Sequence, residues 1–176
     1  TISGSLGSGS YAGNIINSAT FNYASSAAQT LSGVISGSGA VTKSGSSTLT
    51  LSGTNTYSGN TTISAGAITV SGLLGNGTYA GGISNSGTFN FGSSSDQTIS
   101  GVISGSGGLN KSGSSTLTLS GANTYSGDTA ISAGAITVSG LLGNGTYAGG
   151  ISNAGTLTLS SSSAQTLSCL LYTSPS

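Results

Sequence analysis

Very few side chains of this chain could take part in chemistry. Its 176 residues include two lysines, two aspartates, one cysteine and no histidine. A pair of carboxylates that flank one site can hydrolyse a glycosidic bond, but Asp96 and Asp128 stand 32 residues apart and neither recurs when the sequence repeats itself. Ala28 and Ala164 occupy the positions equivalent to Asp96, and Asn60 the one equivalent to Asp128. We therefore predict two solitary surface acids.

The remaining candidate residues are equally isolated. Cys169 has no histidine partner, so it lacks the base that activates a cysteine nucleophile, and the chain has no imidazole to bind a metal. Gly105–Gly108 is rich in glycine but has neither the Asp of a calcium-binding repeat nor the Lys and helix of a phosphate loop. We predict no catalytic, cofactor-binding or metal-binding residue, and no cofactor.

The two lysines, Lys43 and Lys111, recur at one position of a repeat. They could contact a ligand as a row, or they could lie in turns where they aid solubility and discourage edge pairing; we favour the second interpretation. Only 2% of residues are charged and the net charge is zero. This excludes the electrostatic footprint of a nucleic-acid or anionic-lipid partner.

A repeat of 68 residues organises the chain. Lys43–Val70 recurs as Lys111–Val138, which divides the sequence into unit one (3–70), unit two (71–138) and a partial unit three (139–168). Apolar residues alternate within each unit, and period two is the spacing of a strand with one buried face. Between these runs stand turn residues, among them Asn76-Gly77 and Asn144-Gly145, which tolerate positive φ.

This pattern predicts an all-β chain without helices, because Gly recurs every few residues and no 3.6-residue period is sustained. In unit two we expect strands at Phe89–Phe91, Thr98–Ile103, Leu117–Leu119 and Ile136–Val138, with shorter pieces near Leu73–Leu74 and Thr78–Ile83. A disordered Gly/Ser linker is the alternative, but a linker has no need of alternating Leu, Ile and Val in a fixed register.

No coil has enough apolar residues to fold alone, so the units should stack. We predict a right-handed parallel β-helix (β-solenoid), lacking caps, with about three coils of 20 to 25 residues in each unit. Seven or eight coils stacked at roughly 4.8 Å would form a rod about 35 Å long. The alternation predicts buried Leu49, Leu51, Ile68, Val70, Leu117, Leu119, Ile136 and Val138, and outward Thr50, Thr69, Thr118 and Thr137.

Tyrosines also recur, as one set (Tyr57 and Tyr125) and a second (Tyr11, Tyr79 and Tyr147). Equivalent rings would be about three coils, or roughly 14 Å, apart, which is too far for direct stacking. We favour half-buried packing at the coil corners over a sugar-binding platform.

Both Lys43–Val70 and Lys111–Val138 contain a turn followed by the segments TLTLSG, NTYSG and AITV. This order of segments resembles the passenger-associated repeat of bacterial autotransporters. The resemblance implies a structural or adhesive segment of a passenger, exported through the Gram-negative outer membrane and displayed or secreted. It implies a C-terminal β-barrel translocator in the full-length protein, of which this chain would be a fragment, without membrane insertion of this segment. Host-cell surfaces, matrix or glycans are then the expected partners, and an enzymatic activity is not expected.

Two other functions stay open. One is an ice- or glycan-binding solenoid that uses threonine ladders, such as Thr48 and Thr50 with Thr116 and Thr118. The other is the scaffold of a β-helix enzyme whose active region lies outside this chain.

The last eight residues, 169–176, depart from the repeat where Gly-Val-Ile is expected. They read CLLYTSPS, which resembles one translated frame of a transposase adapter used in preparing DNA libraries. We predict that this tail is not native; a genuine terminal strand is the alternative.

Overall fold

The computed structural model describes residues 1–168 and 171–173, and short strands dominate them. In chain order the strands are β1 Ser10–Tyr11, β2 Ile15–Ile16, β3 Thr20–Tyr23, β4 Gln29–Leu31, β5 Ile35–Ser36, β6 Ala40–Lys43, β7 Thr48–Leu51, β8 Thr61–Ile63, β9 Ala67–Val70, β10 Thr78–Tyr79, β11 Ile83–Asn85, β12 Thr88–Phe91, β13 Gln97–Ile99, β14 Ile103–Ser104, β15 Gly108–Lys111, β16 Thr116–Leu119, β17 Thr129–Ile131, β18 Ala135–Val138, β19 Thr146–Tyr147, β20 Ile151–Asn153, β21 Thr156–Leu159, β22 Thr166–Leu167 and β23 Leu171–Thr173. The helical segments among the described residues are the single 3₁₀ turns Gly7–Gly9, Gly75–Gly77 and Gly143–Gly145.

All the strand pairs are parallel, and paired residues lie about 20 positions apart, as in Thr98 and Thr118. The chain therefore winds as a parallel β-solenoid of about eight coils, as predicted. The right-handed sense of the winding stays a prediction, which parallel crossovers generally favour.

The solenoid has three faces, which each coil visits in turn. Face 1 is a nine-stranded sheet, β1-β4-β7-β9-β12-β15-β17-β20-β23. Face 2 contains the pair β2-β5 and the five-stranded sheet β10-β13-β16-β18-β21, whose strands all follow a face 1 strand in the chain. Face 3 contains the five-stranded sheet β3-β6-β8-β11-β14 and the pair β19-β22.

The core is a narrow column of apolar side chains inside the three faces. The eight Leu, Ile and Val residues predicted to be buried are each at most 1% exposed, whereas Thr50, Thr69, Thr118 and Thr137 lie half-exposed on the outside. The inward and outward register is thus confirmed. It follows from period two, because a slip of one residue would turn the Leu set outward.

The strand boundaries in unit two differ in part from the prediction. Thr98–Ile103 contains the end of β13 and the start of β14, and Thr78–Ile83 likewise spans parts of two strands. Each pair is separated by a corner at which the chain passes to the next face. Leu73 forms only an isolated bridge with Thr54, and strands β15 and β17 were not predicted at all.

The predicted Asn-Gly turns are confirmed. Asn76 and Asn144 both adopt φ 53°, and the glycines that follow them have φ 94° and 99°. A left-handed backbone of this kind costs Asn little free energy and Gly almost none. Each Asn-Gly pair can therefore form the end of its 3₁₀ turn, and the next strand begins at the following threonine.

Each 68-residue unit makes slightly more than the predicted three coils, and the additional part of a coil has a consequence for the orientation of the units. On face 1, Ser10 pairs with Thr30, Thr30 with Thr50 and Thr50 with Thr69, so Thr69 lies three coils after Ser10. Nine further residues reach Thr78, which is the equivalent of Ser10 but lies on face 2. In the same way β3 on face 3 is equivalent to β12 on face 1. Successive units are therefore rotated by about a third of a turn.

Buried amide side chains join neighbouring coils. The Asn55 Oδ1 atom accepts a hydrogen bond from the Ile35 backbone N–H at 2.9 Å, and its Nδ2 donates to the Leu73 carbonyl at 3.2 Å, so this side chain bridges three coils. Gln97 both accepts from and donates to the backbone of Leu74 at 2.8 and 3.0 Å. These bonds satisfy polar groups that would otherwise be costly to bury.

Glycine is required at the corners because the coils approach closely there. A Cβ atom placed on Gly101 would lie 2.2 Å from the Gly81 carbonyl oxygen of the preceding coil, and one on Gly121 would lie 2.6 Å from the Gly101 carbonyl oxygen. No side chain fits at such a distance, so these corners accept only glycine.

Candidate functional site

The two aspartates lie apart and each binds backbone. The Asp96 carboxylate, before β13 of face 2, accepts the Thr116 N–H at 2.8 Å. The Asp128 carboxylate, before β17 of face 1, accepts the Gly150 N–H at 2.7 Å. Both side chains are exposed. Each acid thus joins one coil to the next, and among residues 1–168 and 171–173 no group of three His, Cys, Asp or Glu residues could hold a metal ion.

The lysines are placed differently from our prediction. Lys43 and Lys111 are fully buried rather than exposed in turns. Their strands place them on the inward side, as the pairing of Lys43 with Tyr23 and Ile63 shows. Neither the interpretation as a ligand row nor that as a solubilising turn residue is correct, because both require a side chain that reaches solvent.

Each lysine ammonium group lies at a corner of the core. Lys43 Nζ donates to the Gly45 carbonyl and lies 5.7 Å from the centre of the Tyr23 ring. Lys111 Nζ donates to the Gly113 carbonyl and lies 5.7 Å from the centre of the Phe91 ring. Burial lowers the pKa of both lysines, and the negative charge of Asp96 partly opposes this for Lys111.

The recurring tyrosines form a buried hydroxyl chain that the sequence analysis missed. Tyr147 donates to the Gly127 carbonyl at 2.5 Å, and Thr129 contacts the hydroxyls of both Tyr125 and Tyr147 at 2.8 Å. Because Tyr147 gives its one proton to the carbonyl, Thr129 donates to Tyr147 and accepts from Tyr125. The same chain exists one unit earlier, from Tyr57 through Thr61 and Tyr79 to the carbonyl of Gly59.

The ring contacts also differ from the prediction. Tyr57 and Tyr79 are packed edge to face with centroids 5.5 Å apart, and Tyr125 and Tyr147 repeat this at 5.3 Å. Their residue offset is 22, about one coil, so contact occurs between the two tyrosine sets rather than within one. Tyr11 is half-buried as predicted, but these four rings are fully buried, so they cannot form an exposed sugar platform.

Burial of the tyrosines is chemically consistent with a structural role. Desolvation raises the pKa of Tyr57 well above its usual value and also raises the pKa of Tyr79 and Tyr125. A phenol kept in its neutral form and held by hydrogen bonds is a stable packing group. It is not poised for proton transfer near neutral pH.

Two shallow clefts recur at equivalent positions of the repeat. One, of about 240 Å³, is lined by Asn60, Gly82 and Val102 among other residues. The second, of about 250 Å³, is lined by Asp128, Gly150 and Tyr172. Both are open grooves between coils, and neither brings together an acid and a base.

The outer surface of face 2 carries a row of threonines in strict register. We define the threonine row as Thr78, Thr98, Thr118, Thr137 and Thr158, which are paired in that order on five consecutive strands. The ladder we had named as an alternative is different. Thr48 and Thr50 lie on face 1, whereas Thr116 and Thr118 lie on face 2, so these four do not share one flat surface.

The family comparison identifies the repeat. The model of the passenger-associated-transport-repeat matches residues 41–70 and 109–138, which are the segments that our sequence analysis had singled out. Two segments of the chain, 60 of its 176 residues, are thus similar to this repeat. Together with the parallel β-solenoid, they are consistent with a segment of an autotransporter passenger. Comparison with curated proteins and with solved structures gave no match.

The two matched repeats have the same order of strands, on faces that are rotated by about a third of a turn. The first match covers β7, β8 and β9 and the second covers β16, β17 and β18, with the fully buried Tyr57 and Tyr125 near the middle. Within the described residues, no helix is long and apolar enough to cross a membrane.

The predicted non-native tail lies mostly outside the described residues, as does Cys169. The described part, 171–173, forms strand β23, which pairs with β20 on face 1. This pairing continues the face but does not test where the tail comes from.

Proposed function

We propose that this chain is a non-catalytic structural and adhesive segment of an autotransporter passenger. In this proposal it is displayed on the surface of a Gram-negative cell or secreted from it, after passage through a C-terminal β-barrel translocator of the full-length protein. The observation that carries the proposal is that the model of the passenger-associated-transport-repeat matches two stretches, 41–70 and 109–138, of one continuous solenoid.

The chemistry of the described residues supports a structural role. The only acids are single exposed residues bound to backbone N–H groups, and both lysines are buried against backbone carbonyls. A general acid and base must reach one substrate together, and the described residues offer no such pair. An enzymatic region elsewhere in the full-length protein would be compatible with this segment as its scaffold.

The composition suits export through a narrow pore. The chain has four charged residues, and the single Cys169 cannot form a disulfide within one copy of the chain. Folding of a solenoid proceeds from coil to coil by nearest-neighbour contacts, so a chain that emerges progressively could fold progressively outside the cell.

Surface display can be tested on the full-length protein expressed from its own gene in a Gram-negative host. A short epitope inserted between Ser94 and Ser95, two exposed residues in the turn before β13, should be labelled by antibody on intact cells. A periplasmic protein with the same epitope is the matched control and should be labelled only after lysis. Labelling of the inserted epitope only after lysis would overturn the proposed location.

A further inference from the structure

Most asparagine side chains of this solenoid are held in place by hydrogen bonds. Of the twelve asparagines in the sequence, ten use the side-chain amide to bond another described residue. The exceptions are Asn76 and Asn144, which are exposed and form no side-chain hydrogen bond with any described residue. They are also the asparagines that precede a glycine. The two unbound amides therefore stand next to the least hindered kind of backbone nitrogen.

The 3₁₀ turns do not depend on these amides. In unit one the equivalent residue is Ser8, which adopts the same φ of 53° in an equivalent turn. The turns are closed by backbone bonds, from the Gly77 N–H to the Leu74 carbonyl at 3.0 Å and from the Gly145 N–H to the Leu142 carbonyl at 2.9 Å. Chemical change of the Asn amide thus removes no contact that the described residues make.

Two other exposed asparagines are restrained and provide a comparison within the chain. The Oδ1 atoms of Asn14 and Asn60 each accept a backbone N–H of the next coil at 2.9 Å. This bond directs the amide toward the next coil and away from the peptide nitrogen that follows in the sequence. The following residues are Ile15 and Thr61, whose β-branched side chains hinder an attack by that nitrogen.

We propose that Asn76 and Asn144 are sites at which the chain modifies itself, converting each amide into a carboxylate through a cyclic imide. The Gly77 nitrogen, after loss of its proton to hydroxide, attacks the Asn76 Cγ atom. A new N–Cγ bond forms, the Cγ–Nδ2 bond breaks, and Nδ2 leaves as ammonia. Attack within one residue is favoured because the reacting atoms are already joined.

Water then opens the imide in one of two ways. Cleavage of the new N–Cγ bond gives an aspartate in an ordinary main chain. Cleavage of the original peptide bond gives an isoaspartate, in which the main chain passes through the side-chain methylene. Neither step needs an oxidant or a reductant.

The fold slows this reaction without preventing it. Asn76 has ψ 39° and Asn144 has ψ 36°, angles at which the glycine nitrogen lies nearly opposite the Asn Cβ atom. Ring closure therefore requires rotation about ψ and loss of the backbone hydrogen bond that closes the turn. An exposed turn can open locally at a much smaller free-energy cost than unfolding of the core, so the reaction proceeds in the folded chain.

The modification changes the charge of the solenoid in proportion to its length. The net charge of the chain is zero, and each converted site adds one negative charge at the same position of a 68-residue unit. Because a net charge away from zero opposes association, we expect converted chains to be more soluble. The inference is independent of the proposed function, since it concerns a reaction of the chain alone.

The test uses the purified 176-residue chain, incubated at mildly alkaline pH in water enriched in heavy oxygen and then digested for mass spectrometry. Peptides that contain Asn76 and Asn144 should acquire a carboxylate with one heavy oxygen atom, as aspartate and isoaspartate. Conversion there should be at least about tenfold faster than at Asn14 and Asn60. The same chain unfolded in urea should react faster still at Asn76 and Asn144, because its turns no longer hold ψ.

Asn76→Ser gives a matched variant, because it reproduces the turn of Ser8. It should abolish conversion at position 76 and leave the rate at Asn144 unchanged, with circular dichroism confirming an intact solenoid. Retention of both amides in the folded chain after complete conversion in urea would overturn the inference. Equal rates at Asn14, Asn60, Asn76 and Asn144, or incorporation of no heavy oxygen, would do the same.

Discussion

At the scale of single residues, the buried lysines are the least expected feature of the chain. An ammonium group removed from water loses hydration. This cost is offset only in part by a nearby ring and by backbone carbonyls, one for Lys43 and two for Lys111. The folded chain therefore binds the lysine protons less tightly than the unfolded chain does, in agreement with the lowered pKa values.

The lysine pKa shifts predict a rise of stability with pH. Between the lowered pKa of each folded-state lysine and its unfolded value of about 10.4, the unfolded chain binds more protons, so the free energy of unfolding increases as the pH rises. Below the lowered pKa of the folded-state lysines, the contribution of the buried ammonium groups to the free energy of unfolding no longer changes with pH. In a variant with Lys43→Met and Lys111→Met, the urea midpoint should no longer rise on the alkaline side of neutrality.

The measurement should stop below about pH 10, since the raised tyrosine pKa values act in the opposite direction above it. Asp128→Asn, which changes an exposed charge, is the control and should keep the wild-type rise. An unchanged rise in the lysine variant would show that the buried lysines do not cause it.

The hydroxyl chain predicts a specific order of destabilisation. Thr129→Val leaves the buried Tyr125 hydroxyl without an acceptor and should cost about 1–3 kcal/mol, whereas Tyr125→Phe removes the donor itself and should cost about 1 kcal/mol. Adding Tyr125→Phe to Thr129→Val should recover part of the loss, because no unpaired hydroxyl then remains. Urea unfolding of the three variants measures this.

Tyr11→Phe is the matched control for this series. Tyr11 is equivalent to Tyr147 in the repeat but is half-exposed, and its hydroxyl makes no hydrogen bond with the described residues. We expect a change within about 0.5 kcal/mol. Strict additivity of Thr129→Val and Tyr125→Phe would argue against the directed chain of hydrogen bonds.

The sequence could predict the apolar core but not these polar contacts. Leu117 and Leu119 alternate with threonines, and that period alone determines which side is buried. Lys111 also occupies an inward position of its strand. Because lysine is rarely buried in proteins, its residue type led to the prediction of an exposed turn position. The Tyr57–Tyr79 contact could not be read from the 68-residue period, because it joins residues one coil apart.

At the scale of strands and corners, close stacking restricts side-chain volume more than strand propensity does. Gly101→Ala should destabilise the solenoid by about 2 kcal/mol or more, because the new Cβ would overlap the Gly81 carbonyl oxygen and force the coils apart. Gly92→Ala is the control: its nearest neighbour, the Ser112 Oγ atom, would lie 3.4 Å away. Thermal unfolding that shows equal effects for the two variants would contradict this account of the corners.

The strand boundaries missed by the sequence analysis have a similar origin. Thr98–Ile103 reads as one apolar-polar stretch, yet it contains Gly101 at a corner. An isolated Gly marks either a bulge or a close backbone approach, and only the neighbouring coil determines which. Strand β17 escaped prediction because it places buried Thr129 in a position where an aliphatic residue was expected.

At the scale of the whole molecule, each coil contacts only the coils before and after it. Stability should therefore increase with the number of units. Chains of one, two and three complete 68-residue units should show rising thermal midpoints by circular dichroism. A single unit that is as stable as three, and monomeric by light scattering, would contradict the nearest-neighbour description.

The rotation between units also determines what happens when such a gene changes length. Ile63–Asn85 and Ile131–Asn153 are identical letter for letter, so recombination between them removes or adds one whole unit and leaves every local contact in place. The core accepts the added or removed unit. All coils that follow this unit in the chain are, however, rotated by about a third of a turn about the solenoid axis. A gain or loss of three units restores the original direction. Length variants of this protein would thus differ in the direction in which their distal parts face as well as in their reach.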